Sequence, residues 1–335
     1  MSTSVVVDTE RVKAMTELLS RTDVPAESEE ASVDDKLPKT LLPDIYFVLV
    51  AICHQTSPIG ELPLIGTIDG RELKGWDYLR EVCLRAAQRD NAWFTPERLA
   101  VVSEDDLNTI LQIGHAPVHL NTLAERASLM RDIGERMKAT GLRSITELFE
   151  RCDRTLSKPD GSGFLAEISK FRAFRDPVRK KSAFFVALMQ NQALWTLRDP
   201  NNLPSPVDYH EVRGHLRCGT VQITEAALAE RVRKGEEVSE ADDIQIRAAV
   251  SEAISQIGIG TGLAPSRLHY LFWNIYRGCC THEKPHCHAC PSDCKLPERY
   301  KALTTERRRC LFSDACASRD LSEKLIEHKT VTDFY

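Results

Sequence analysis

The sequence predicts an all-α fold with one small β-hairpin near its front and a four-cysteine loop toward its C-terminal side. Three observations carry this. Long stretches repeat apolar residues at helical spacing, as at Leu123, Ala127, Met130, Ile133 and Met137. Several of them open on helix-start signals, such as Thr95-Pro96 and Ser103 followed by three acids. Asp69-Gly70 between two short runs is the one clear hairpin signal.

Val5 to Ser20 reads as a short amphipathic helix. Asp23 to Lys36 is acidic, carries Pro and Ser and few bulky apolar residues, so a mobile linker is expected. From Leu41, the run LLPDIYFVLVAICHQ is a buried segment whose period does not decide between strand and helix. The hairpin follows within Ile59 to Gly75, then a helix over Trp76 to Arg89. Helices are expected after Thr95 and after Ser103, whose acidic first turn suits the helix dipole. Further helices follow over Leu120–Ala139, Ser144–Asp153 and Gly163–Phe174. Beyond the central stretch, Thr224–Lys234, Ala241–Ile257 and Pro265–Tyr276 are helical, with no internal repeat. The expected organisation is an N-terminal helix and flexible acidic linker (1–40), a helical domain (41–278), and a four-cysteine loop with a C-terminal tail (279–335).

Apolar residues make up 42% and charged residues 28%, ordinary for a globular chain. A net charge of -5 advertises no global basic field for nucleic acid. No apolar run suits a membrane-spanning helix, so no membrane partner is expected. The N-terminus lacks a basic region followed by a long apolar one, which predicts a cytoplasmic location.

Eleven cysteines are many for such a location unless some bind metal. Cys280-x6-Cys287-x2-Cys290-x3-Cys294 follows the last helix in a loop with Pro285 and Pro291. Four thiolates so spaced can close around one metal centre, either an iron–sulfur cluster or tetrahedral zinc. His282, His286 or His288 would substitute for one thiolate in the zinc case. Cys279 is a further candidate; Cys310 and Cys316 read as structural or free.

The stretch Lys180 to Thr220 is central. It runs from Lys180-Lys181 through an apolar helix and a proline-rich turn to Pro206-Val-Asp-Tyr-His at the head of another helix. Asp208 is an N-cap by position. A carboxylate there is also suited to stabilise a sugar cation while a base departs. Lys181, with Lys180 as its competitor, is a candidate amine nucleophile or phosphate anchor. His54, Gln55, Trp76 and Asp77, with Tyr209 and His210 beside Asp208, are the candidate substrate contacts. The aromatic rings offer stacking faces and Gln a donor–acceptor pair. Trp195 and Trp273 read as core, and Arg307-Arg308-Arg309 as a solvated patch that would otherwise touch phosphate.

Val207-Asp208-x-His210, with Lys181-Ser182 upstream, resembles the helix-hairpin-helix DNA glycosylase superfamily. Pro-Val-Asp-Tyr and Leu271-x-Trp273 look closest to its archaeal 8-oxoguanine glycosylases. The resemblance implies a two-lobed helical glycosylase-like fold in which the Asp208 position is catalytic and the lysine serves lyase chemistry. The cysteine run is similar to the [4Fe–4S] loop of endonuclease III and adenine DNA glycosylases, although their last spacing is Cys-x5-Cys. That implies a [4Fe–4S] cluster, with zinc as the lesser alternative. DNA-binding members carry a Leu-Pro-Gly-x-Gly turn before the lysine; here Phe174-Arg-Asp-Pro-Val-Arg lacks glycine and brings Asp176.

Val7-Asp8-Thr9, Ile45-Tyr-Phe-Val-Leu-Val, Gly70-Arg-Glu-Leu-Lys-Gly-Trp76-Asp-Tyr-Leu and Asp208-Tyr209 resemble a second family, the queuosine 5′-phosphate N-glycosidases of queuosine salvage. That resemblance spans Val5 to Arg277. It implies hydrolysis of the base–sugar bond of a free modified purine or 7-deazapurine nucleotide or nucleoside. The departure is at Ala51-Ile-Cys-His-Gln, where the family is aromatic-rich, and in the cysteine loop, which the family normally lacks. A small nucleotide or nucleoside is therefore the expected partner, and nucleic acid the alternative.

Overall fold

The structure is a computed structural model that describes residues 4–25, 37–56, 62–113, 120–282, 285–294, 296–305 and 308–335. The chain opens with β1 (Val5–Val7) and passes at once into α1 (Thr9–Leu19). One helix was expected over both. Three β-branched valines instead extend and pair antiparallel with Val221–Ile223, Val5 opposite Ile223. Asp8 then caps α1 by accepting from the Arg11 N–H. Most of the expected acidic linker, residues 26–36, lies outside the described residues.

The ambiguous apolar run is α2 (Leu42–Ala51), with Pro43 in its first turn. Every residue of α2 except Asp44 is buried, so the sequence carries no one-sided period. β2 (Ile65–Ile68) and β3 (Arg71–Lys74) form the expected hairpin. Asp69 and Gly70 both take positive φ, 49° and 75°, the two-residue turn whose twist suits the flanking strands.

α3 (Gly75–Arg89) follows, then α4 (Pro96–Leu99) and α5 (Glu104–Leu111). Thr95 caps α4, and Ser103 with Asp106 forms a reciprocal capping box on α5. α6 (Leu123–Ala139), α7 (Ile145–Arg151) and α8 (Phe164–Ile168) lead to α9 (Lys180–Asn191). The C-terminal series is α10 (Tyr209–Cys218), β4 (Val221–Ile223), α11 (Ala226–Lys234), α12 (Glu240–Thr261), α13 (Pro265–Gly278) and α14 (Glu298–Thr305). The fold is thus all-α, but among the described residues it holds two separate two-stranded sheets rather than one hairpin.

The chain divides into two compact units. One joins Met1–Ser28 to Leu203–Val331, the other joins Glu29–Asn202 to Thr332–Tyr335. The first has a core of apolar faces from α1, α10, α12 and α13. Two glycines permit close approach there. A Cβ on Gly214 would stand 2.3 Å from the Tyr276 ring, and one on Gly260 would stand 2.6 Å from Thr16. The second unit is built on aromatic rings. Phe47 stacks on Phe174 at 4.3 Å, and Trp195 stacks on Phe149 at 4.2 Å and meets Phe164 and Phe185 edge-on. No described helix is long and apolar enough to cross a membrane.

Candidate functional site

The sequence-predicted residues divide between the units. His54, Gln55, Trp76, Asp77, Lys180 and Lys181 belong to the second, and Asp208, Tyr209, His210 and the four loop cysteines to the first.

In the second unit, the C-terminus of α2 gathers cations. Lys181 is fully buried and donates to the Ala51 carbonyl at 2.5 Å. Buried Arg126 donates to the Ile52 carbonyl and, at 2.7 Å, to the His54 carbonyl. Helix ends leave carbonyls without partners and carry partial negative charge, so both cations sit where the backbone favours them. Burial still wins for the lysine: its pKa falls to about 8. His54 Nδ1 lies 3.4 Å from the Lys181 ammonium, and burial with the Lys181 and Arg126 charges pushes its pKa far down. His54 is therefore neutral, with Nδ1 as the acceptor. Its Nε2 is 3.7 Å from Glu125, beyond hydrogen-bond reach.

Lys180 differs from its neighbour. It is half-buried and lies 5.0 Å from the Phe184 ring, which meets Trp76 edge-on at 4.9 Å. Asp77 is exposed in the first turn of α3, and the Gln55 N–H donates to the Tyr335 carbonyl. Gln192 was not singled out from sequence. It is 5% exposed, and neither atom of its amide has a hydrogen-bond partner. An ordinary helix-end glutamine carries no signal that would have revealed this.

The turn before α9 explains its missing glycines. The Asp176 carboxylate is buried and accepts from the Val178 N–H at 3.0 Å and the Lys180 N–H at 2.9 Å. Arg179 takes φ 61°, the left-handed conformation a glycine adopts without strain. A side-chain carboxylate thus holds amides at the head of a helix, the kind of donors that otherwise receive a phosphate.

In the first unit, Asp208 caps α10. Its Oδ1 accepts from the His210 N–H at 2.7 Å, and the Glu211 carboxylate accepts from the Asp208 N–H at 2.9 Å. Glu211 is fully buried, which raises its pKa, and its other oxygen meets His269 Nδ1 at 2.6 Å. The Asp-x-x-Glu spacing is a capping-box signal, so Glu211 was legible; His269 was not. Tyr209, His210 and Trp273 form an aromatic series beside Asp208, with ring centroids 4.1 and 6.3 Å apart. Trp273 is half-buried under the Arg277 guanidinium rather than core. Burial, aided by Arg213, lowers the His210 pKa to about 4, so its Nδ1 accepts from Arg213 at 2.7 Å.

α10 also reaches the cysteine loop. Arg213 and Arg217, one turn apart, are buried; both donate to the Cys280 carbonyl, at 2.8 and 3.1 Å, and Arg213 pairs with Glu327 at 2.8 Å. Arg217 also lies 3.3 Å from the Cys280 sulfur and 2.8 Å from the Thr281 carbonyl. Burial raises the Cys280 pKa and Arg217 opposes that rise. Cys280, Cys287 and Cys290 each interact electrostatically with Cys310, and Cys290 with Cys294 as well. Three of the four loop thiols thus share Cys310 as a neighbour and the fourth, Cys294, neighbours Cys290, although among the described residues no three Cys, His, Asp or Glu side chains converge on a single ion. Of the basic run, Arg307 lies outside the described residues and Arg309 pairs with Asp314 at 2.8 Å.

The chain matches no protein-family profile and no curated protein sequence. Among solved structures it is similar to an 8-oxoguanine DNA glycosylase from Pyrobaculum aerophilum complexed with 8-oxoguanosine. The match has 13% identity and a TM-score of 0.41, and it covers 90% of this chain and 88% of that one.

Proposed function

We propose that the protein is an N-glycosidase that hydrolyses the base–sugar bond of a free modified purine or 7-deazapurine nucleotide or nucleoside, queuosine-like in its base. Asp208 is the residue that stabilises the oxocarbenium-like sugar and directs a water to the anomeric carbon. Tyr209 and His210 supply a stacking face beside it, and neutral His210 carries no charge to repel the sugar cation. The observation that carries the free-substrate reading is Asp176. Its carboxylate already occupies the Val178 and Lys180 amides, which leaves a duplex phosphate without that grip.

Cys280, Cys287, Cys290 and Cys294 are the residues that would hold a [4Fe–4S] cluster, with zinc as the alternative. The Arg217 guanidinium at the Cys280 sulfur suits either, because it compensates thiolate charge. Such a centre would clamp the loop to α10, the helix that Asp208 caps.

The test uses Asp208→Asn on anaerobically purified protein. Asparagine caps a helix as well as aspartate, so the variant should fold normally while base release from queuosine 5′-phosphate falls by at least about a hundredfold. Release that persists in the variant removes Asp208 from the chemistry. One observation favours a second reading, a DNA repair glycosylase with lyase activity. Lys181 has a pKa of about 8, which leaves an appreciable amine fraction near neutrality. Borohydride trapping on lesion-bearing duplex, lost in Lys181→Gln, would select that reading.

A further inference from the structure

The second unit contains a cavity of 340 Å³ framed by the C-terminal end of α6, by α7, and by the segment from Lys158 to Phe171. Its volume is in the range of small-molecule sites. Its lining combines four cations, Arg136, Arg151, Lys158 and Lys170, with the apolar Leu142, Leu148 and Phe171, and Glu167 is the one carboxylate. Two of the cations are already engaged. Lys170 pairs with Glu167 at 2.7 Å, and Arg151 pairs with Glu147 at 2.7 Å while reaching the Thr140 and Gly141 carbonyls. Arg151 therefore covers the negative end of α6, and Lys170 neutralises Glu167.

Arg136 and Lys158 remain. The Arg136 Nε is buried without a hydrogen-bond partner, while its guanidinium sits 5.8 Å from the Phe171 ring. A buried guanidinium donor left unmatched is costly and calls for an acceptor. No carboxylate of the described residues lies within ion-pair distance of Lys158; Asp160 acts on it only at longer range. We infer that this cavity binds a small phosphate monoester, its phosphate against Arg136 and Lys158 and its ring or apolar body against Leu142, Leu148 and Phe171. The site lies apart from Lys181 and Asp208 in its lining and needs neither.

Phenyl phosphate, which has no glycosidic bond, is a probe for this cavity. Isothermal titration with the full-length protein should give saturable binding at one site, at least about tenfold tighter than phenol. Arg136→Gln and Lys158→Gln should each weaken it about tenfold, with Lys158→Gln, at a half-buried position, guarding against a folding artefact. Raising the salt concentration should weaken the wild type more than Lys158→Gln. Equal affinity for phenol, no saturable binding, or unchanged affinity in both variants would overturn the assignment. Inorganic phosphate in a parallel arm separates the two halves: binding as tight as phenyl phosphate would remove the apolar wall from the site.

Discussion

Asp208, Asp176 and Lys181 each hold backbone groups at a helix end. Asp208 satisfies helix-end amides and presents a carboxylate at the same point. Asp176 satisfies amides that would otherwise be open to an anion. Replacing Asp176 by Ala should therefore destabilise the second unit by about 1–3 kcal/mol, because two N–H groups at a buried turn lose their acceptor. Urea denaturation checks this, and an unchanged midpoint would mean the carboxylate is dispensable there. Lys181 gives a pH signature. Its pKa is about 8 when folded against an ordinary 10.5, so between those values the unfolded chain holds the proton and the folded chain does not. Stability contributed through this group therefore rises from pH 8 to pH 10.5. Below pH 8, Lys181→Met should be the more stable protein by up to about 3 kcal/mol, with the gap closing as pH approaches 10.5. Melting curves of both proteins across that range measure it.

At the scale of elements, α10 joins the most observations. It starts at a capping box, holds two buried arginines that grip Cys280, and accepts Tyr276 of α13 at Gly214. Alanine at 214 would improve helix propensity by about 1 kcal/mol, but a Cβ 2.3 Å from a fully buried ring is an overpacking of about 1–3 kcal/mol. Gly214→Ala should thus lower the melting temperature, and a rise would show that the ring moves freely. α12 is tied to the tail by Asp243, which accepts from Arg247 and meets His328 at 2.6 Å. Burial would raise the Asp243 pKa, but those two partners overcome it and hold it at about 2. Stability from this carboxylate is present above pH 3.8 and lost as pH falls toward 2. Asp243→Asn should cost about 3–5 kcal/mol, since the buried Arg247 guanidinium loses the Asp243 charge; chemical denaturation near neutral pH reads it.

Over the whole molecule, the sequence was most legible where a local rule decides the structure. The Asp69-Gly70 hairpin, the Thr95 and Ser103 caps, and α10 beginning at Tyr209 behind Asp208 follow from turn and cap chemistry alone. What was not legible depends on partners far along the chain. The strand character of Val5–Val7 needs β4, more than two hundred residues away. The burial of Lys181 rather than Lys180 needs the carbonyls of α2. The position of Cys310 among the loop thiols lies outside any short spacing. The proposed substrate is a free modified nucleotide. The most direct test is base release, followed by mass spectrometry, from queuosine 5′-phosphate, 7-deazaguanine nucleotides and ordinary nucleotides, beside lesion-bearing duplex DNA. Wild type and Asp208→Asn should be compared at equal protein concentration. Release from a free modified nucleotide that vanishes in the variant is the predicted result; release from duplex alone, or from neither, would contradict it.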